Sequence, residues 1–225
     1  MKKNQVLTQS VQDYLKTIYK LQDDGTVSTT EIAKDMGVSG ASVTGMLKRL
    51  SSMSLVDYNS YKGVKLTTRG ERIALEVIRH HRLIELYLKE ELGYKLDRVH
   101  EEACKLEHFI SEEFAEKITN KLGNPKFDPH GHPIPTKEGK IHFVNEVPLS
   151  EVEAGKETVI TRLSDTDQKL LGYLEEIGLI PNVKVSVISK SPFNGPISIK
   201  HADTEKVIGY EVAGKIFVEV LPSKN

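Results

Sequence analysis

A single cysteine, Cys104, in 225 residues rules out an internal disulfide and suits a reducing compartment. No apolar run approaches the ~18 residues that a membrane-spanning helix needs, so no membrane partner is expected. The opening MKKNQVLTQS has a positive end but no apolar stretch behind it, so no secretory signal is expected. There is no low-complexity tract, and 38% hydrophobic with 28% charged residues is ordinary for a globular protein. Together these absences predict a cytoplasmic chain whose length fits two or three small domains. A net charge of −1 implies no polyanionic partner by itself, yet residues 1–75 carry 11 Lys+Arg against 7 Asp+Glu. That local excess has the sign of a nucleic-acid-binding module.

Val11, Leu15 and Ile18 recur at helical spacing and predict a first helix over about residues 8–22. Ser28 and Glu31 have capping-box spacing and open a short helix that Gly37 ends. Ser39 can cap the next helix, which carries Val43, Met46, Leu47 and Leu50. Two short helices about a Gly-containing turn make a helix-turn-helix. The second begins with small residues (Ser39, Gly40, Ala41, Ser42, Thr44) that let a backbone approach base edges. LVDYNSYKGVKLT then alternates across a turn at Lys62 and Gly63, a β-hairpin that completes a winged helix. Lys48, Arg49, Lys62 and Lys65 would meet phosphates. The bland alternative is a helical core that meets protein rather than DNA.

Thr67 or Thr68 caps a long helix with Ile73, Val77, Ile84 and Leu88 on its buried side, and it places His81 and Glu85 at i, i+4. Asp97 is expected to cap the next helix, with Val99, Ala103, Leu106 and Ile110 as its core stripe. His100, Cys104, Glu107 and His108 form a second stripe about 100° around it. Such a cluster could be a metal site, a nucleophile with its base, or chance. No oxyanion-hole loop or substrate motif accompanies Cys104, and six donors on two adjacent helices favour metal over catalysis. A third helix runs through Phe114, Ile118 and Leu122. NPKFDPHGHPIPTKEGK reads as an irregular connection in which His130 and His132 are structural. Glu90, Glu91 and Glu102 read as solvated face.

The pieces DYLKTIYKL, YKGVKLTTRG, RHHRLIELYL, VHEEACKLEHFIS and DPHGHPIP, with the helix-turn-helix, resemble the diphtheria toxin repressor family of metal-dependent transcription repressors, over nearly the whole chain. The resemblance implies two metal sites per subunit. The primary one is Asp13, Cys104, Glu107 and His108; the ancillary one is His81, Glu85 and His100, joined by Asp165 and Gln168 of a C-terminal domain. The competing role of SDTDQ is helix capping by Ser164 and Asp167. Iron-responsive members carry methionine at the position of Asp13; manganese-responsive ones carry a carboxylate in place of Cys104. Mn²⁺ or Fe²⁺ is therefore the expected cofactor, with Co²⁺, Ni²⁺ or Zn²⁺ able to substitute in vitro. A base-contacting glutamine of the iron-responsive type is Gly45 here, so the operator sequence does not carry over.

Short β-branched runs after residue 150, with one helix near 165–177, predict a small antiparallel barrel similar to an SH3-like, ferrous-transport-protein-A domain. The expected fold is multi-domain and mainly α. A winged helix-turn-helix (1–75) is followed by an all-α dimerisation and metal-binding domain (76–141), a linker (142–149) and a C-terminal SH3-like β-barrel (150–225). The expected function is a metal-activated repressor, not an enzyme, that binds palindromic double-stranded DNA as a homodimer. A winged-helix sensor of an organic ligand and a metalloenzyme fused to a winged helix are the alternatives.

Overall fold

The computed structural model describes residues 7–22 and 25–222, and these form two compact units. The first comprises the chain up to His81 together with Leu106–Ile110 and Pro135–Lys140. Its helices are α1 (Gln9–Leu21), α2 (Thr29–Met36) and α3 (Gly40–Ser52). The hairpin β1 (Val56–Asn59) and β2 (Gly63–Leu66) follows, and then the start of α4 (Thr68–Glu90). Capping decides where the short helices begin. Ser28 Oγ accepts from Glu31 N at 3.2 Å while Glu31 Oε2 accepts from Ser28 N at 2.8 Å, so two otherwise orphaned donors are satisfied. Gly37 stops α2 in the left-handed region, at φ 64°. Ser39 Oγ caps α3 by accepting from Ser42 N at 3.2 Å.

Leu15, Ile18, Ile32, Leu47, Leu50 and Leu55 are fully buried in this unit's core. The predicted apolar periodicity of α1 and α3 is thus the face they bury. The hairpin turn falls over residues 60–62 rather than on Lys62 and Gly63, because Asn59 pairs with Gly63. Asn59 Oδ1 holds that turn, accepting from Tyr61 N and Lys62 N at 2.9 and 3.2 Å. Thr67 is the residue that caps α4, accepting from Gly70 N at 3.1 Å.

The second unit comprises Arg82–Lys105, Ser111–Ile134 and Ile141 onward. It holds the rest of α4, most of α5 (Val99–Leu106), α6 (Glu112–Lys121) and a six-stranded antiparallel sheet. The strands are β3 (Val147–Pro148), β4 (Glu157–Leu163), β5 (Lys184–Lys190), β6 (Ile197–His201), β7 (Thr204–Ile208) and β8 (Ile216–Val220). Their order is β3-β8-β4-β5-β6-β7, with register shifts after Ile160 and after Val187 that bend the sheet. Helix α7 (Gln168–Glu176) and the short α8 (Tyr210–Ala213) complete the barrel. Its core includes Leu149, Ile160, Leu163, Leu171, Leu174 and Ile199, and Leu96 from the α4–α5 connection joins them.

Three expectations are corrected. Phe114 is 49% and Leu106 42% exposed, so neither belongs to a core stripe. Asp97 does not cap α5: its Oδ1 is buried without a hydrogen bond, and the helix starts two residues later. The segment expected as linker ends in β3, which pairs with β8 through Val147 and Val218. Among the described residues no helix is long and apolar enough to cross a membrane.

Candidate metal centres and DNA-binding face

Helix α5 stops at Leu106, so Glu107 and His108 lie in the turn beyond it and do not continue the helical face of His100 and Cys104. The turn belongs to the first unit, where it meets α1. Asp13, on α1, places Oδ1 2.8 Å from His108 Nε2, and Glu107 Oε1 is 3.3 Å from the same nitrogen. His108 Nδ1 donates to Gln12 Oε1 at 2.7 Å, so Nε2 is the ring nitrogen that can ligate an ion when the imidazole is neutral. That nitrogen is buried and makes no aligned hydrogen bond, although two carboxylates face it. One ring nitrogen tied to an amide oxygen and the other turned to carboxylates is the arrangement of a metal-binding imidazole.

Glu107 is 3% exposed and holds more than one partner. Lys16 Nζ donates to its two oxygens at 2.8 and 2.6 Å, and His81 Nδ1 bonds to Oε2. Burial works to raise the Glu107 pKa, but His81 and Lys16 together outweigh it and hold the carboxyl below its usual value. The donor set of Asp13, Glu107 and His108 lies within 4.8 Å, one atom from each. Of the residues expected at the primary site, Cys104 alone lies in the other unit, with Sγ 3.6 Å from His100 Nε2.

The second unit holds a further cluster, and it includes His130 and His132, which were expected to be structural. Asp128, His130 and His132 offer donors within 4.8 Å of one another. Asp128 Oδ1 accepts from the backbone N of His130 and of His132, both at 2.9 Å, and this Asx-type turn sets the two rings edge to face with centroids 6.3 Å apart. The loop is pinned to the barrel: His130 O accepts from Leu163 N at 2.8 Å, beside Gly131 at φ 93°. His130 is fully buried; its Nε2 faces Leu96 O at 3.2 Å, and its Nδ1 makes no hydrogen bond. Glu85 Oε2 stands 3.8 Å and Asp128 Oδ1 4.0 Å from that Nδ1. Desolvation lowers the His130 pKa, but Glu85, Asp128 and the Leu96 carbonyl outweigh it and raise the value. Glu85 also pairs with His100 Nδ1 at 3.1 Å, so two expected ancillary donors come together here. Asp165 Oδ1 reaches His132 Nε2 at 4.0 Å, whereas Gln168 is exposed as the first residue of α7. Asp167, not Ser164, caps α7, accepting from Lys169 N and Leu170 N. The signal available for this cluster was DPHGH itself, three donors at alternate positions with Pro and Gly fixing the chain between them.

Both clusters fit a divalent cation. Each has an imidazole with one orphaned buried nitrogen, and each pairs it with carboxylates that would otherwise repel one another.

Elsewhere on the first unit, Ser39, Gly40, Ala41, Ser42 and Gly45 are exposed at the N-terminal end of α3. Thr44 is half-buried, with Oγ1 donating back to Gly40 O at 2.9 Å. Lys48, Arg49, Lys62 and Lys65 are exposed on the same unit, as is Tyr61 in the hairpin turn, at 97%.

Comparison with known proteins adds identity to this geometry. Residues 6–64 match the iron dependent repressor N-terminal DNA binding domain, and residues 67–136 match its metal binding and dimerisation domain. Residues 147–220 match the FeoA domain. The iron-dependent repressor IdeR of Mycobacterium leprae is 30% identical over 226 residues, covering 95% of this chain and 98% of that one. The diphtheria toxin repressor of Corynebacterium efficiens is 26% identical over 97% of this chain and 99% of its own. A solved manganese-dependent transcriptional repressor in complex with manganese superposes with a TM-score of 0.86 at 36% identity, over 94% of this chain and 100% of that one. With a winged helix, a helical metal-binding segment and an SH3-like FeoA domain in that order, the chain belongs to the iron-dependent repressor family, that of the diphtheria toxin repressor.

Proposed function

We propose that the chain is a cytoplasmic, metal-activated repressor that binds a two-fold symmetric operator as a homodimer and controls metal-homeostasis genes. The observation that carries the reading is His108 Nε2, buried, aimed at Asp13 and Glu107, and without a hydrogen bond. Asp13, Glu107 and His108 hold one ion. Glu85, Asp128, His130 and His132 hold a second, with His100 and Asp165 at its edge. This departs from the ligand sets expected from sequence, in which Cys104 completed the first site and Gln168 the second.

Two carboxylates and an imidazole form a hard donor set, and Mn²⁺ is the ion it favours, with Fe²⁺ next. When bound, the cation supplies positive charge that two facing carboxylates need. The chain's own residues do the rest. Asp13 sits on α1, whose other face buries Val11, Leu15 and Ile18 against the core that carries α3. Fixing Asp13 to the 107–108 turn therefore fixes a helix whose buried face shares one core with the recognition helix. An ion that binds only that arrangement shifts the population toward it. The small exposed residues of α3 enter the major groove, while Lys48, Arg49, Lys62 and Lys65 meet phosphates. Exposed Phe109 and Phe114, within the segment that matches the dimerisation domain, suit burial by a second copy.

The test is mobility shift on DNA from upstream of the chain's own gene. The complex should form with Mn²⁺ or Fe²⁺, vanish with a chelator, and weaken steeply with salt. Equal retardation with and without chelator would refute metal activation.

A further inference from the structure

The first metal cluster contains a cation of its own. Lys16 is only 8% exposed, an unusual state for a lysine, and its Nζ donates to both oxygens of Glu107 at 2.6 and 2.8 Å. The same Nζ is 3.3 Å from His81 Nδ1, so it stands among the donors and not at their rim. Lys16 lies one turn beyond Asp13 on α1, on the same face. The carboxylate that the proposed site needs is thus already neutralised, through both of its oxygens, by a group tethered to the helix that supplies Asp13.

We propose that Lys16 is a built-in competitor for the metal: it occupies Glu107 in the metal-free chain and must surrender that carboxylate before a divalent ion binds Asp13, Glu107 and His108. The inference rests on the site assignment above and adds a threshold to it. A buried Glu107 with Asp13 nearby is costly without a counter-charge, and Lys16 supplies one when no metal is present. The same ammonium repels an incoming divalent ion at a few ångströms, where unit charges still interact strongly. Metal affinity is therefore held below what the donors alone would give, and the chain responds only above a set metal concentration. The function of the lysine is to set sensitivity, which a purely structural ion pair would not do.

The experiment uses the full-length chain stripped of metal, with Mn²⁺ affinity read by competition with a chelating indicator and thermal midpoints taken with and without Mn²⁺. His108→Ala identifies which binding phase belongs to this site. Lys16→Gln should bind Mn²⁺ in that phase about tenfold tighter or more. Its metal-free midpoint should fall while its Mn²⁺-saturated midpoint stays at the wild-type value. Lys16→Arg, which keeps the charge, should retain wild-type affinity. Unchanged or weaker binding by Lys16→Gln, with both midpoints lowered, would overturn the proposal and leave Lys16 a structural partner of Glu107. If His108→Ala alters no binding phase, the site assignment fails and this inference with it. Should Lys16→Gln not fold without metal, the wild type decides the matter by nuclear magnetic resonance. The Lys16 ammonium proton signal, protected by its two bonds to Glu107, should disappear on titration with diamagnetic Zn²⁺. Its persistence at saturation would refute displacement.

Discussion

Replacing Gly131 with alanine should disable the second cluster without touching a donor atom. Gly131 adopts φ 93°, and a Cβ there would fall 2.0 Å from the Thr161 carbonyl oxygen and 2.7 Å from Arg162 Cα. Both obstacles are backbone of β4, so neither can swing aside as a side chain would. The loop must lift by more than an ångström, and the bond from Leu163 N to His130 O, 2.8 Å long, goes with it. Left unsatisfied, those groups cost about 1–3 kcal/mol, and the left-handed backbone adds about 1–2 kcal/mol. Gly155 supplies the control: it has φ 83° with nothing within 4 Å of a Cβ, so alanine there incurs only the backbone cost. Gly131→Ala should therefore exceed Gly155→Ala by about 1–3 kcal/mol. At about 2–4 °C per kcal/mol for a chain this size, the metal-free midpoint should fall about 2–12 °C further. Calorimetric melts of both variants measure the difference. Mn²⁺ binding should lose one phase in Gly131→Ala and none in Gly155→Ala, since only the former displaces His130 and Asp128. Equal melting of the two variants, or an intact second phase in Gly131→Ala, would refute the pinning of this loop to β4.

Asp13→Met should leave the fold intact and raise the half-activating Mn²⁺ concentration about tenfold or more, with a smaller change for Fe²⁺ or Co²⁺, because a thioether replaces a hard oxygen. DNA binding measured against free metal would show it, and an unchanged ratio between ions would deny Asp13 a role in selectivity. Lys48→Ala and Arg49→Ala should each lower the slope of log affinity against log salt by about 1, measured by fluorescence anisotropy on operator DNA. Glu175 bonds Lys89 and the backbone N of Leu96; burial raises its pKa, but those partners outweigh burial and lower it. Its stabilising contribution is therefore present above the usual carboxylate pKa and is lost as pH falls through the depressed value. The midpoint advantage of wild type over Glu175→Gln should shrink as metal-free melts are taken from about pH 6 to about pH 3.

Helix boundaries in the winged helix were legible because caps announce them: Ser28 with Glu31, Gly37 and Ser39 all act as their residue types predict. The barrel strands were legible for a related reason, since β-branched runs between Gly, Pro and Asn leave little else for the chain to do. Around Glu107 the sequence misled. Helical spacing put His100, Cys104, Glu107 and His108 on one face, but α5 ends at Leu106, and the turn buries Glu107 while Leu106 is exposed. Periodicity shows which residues share a face only for as long as the helix lasts. His130 was opaque for a different reason. It is buried and bonded to backbone groups of Leu96 and Leu163, each more than thirty residues away, and local pattern carries no trace of such partners.

Glu107 and His108 sit in a five-residue stretch, Leu106–Ile110, that belongs to the unit of the winged helix although the segments on both sides of it belong to the other. The chain passes between the two compact units five times, and no single cut separates a DNA reader from a metal sensor. A fragment ending near residue 75 would keep α1 to β2, yet it would carry Asp13 and Lys16 without Glu107 or His108 to answer them. Such a fragment would be deaf to metal by construction. Transplanting this regulation onto another winged helix would require grafting an interrupted set of segments, so recognition and sensing in this chain can be exchanged only together.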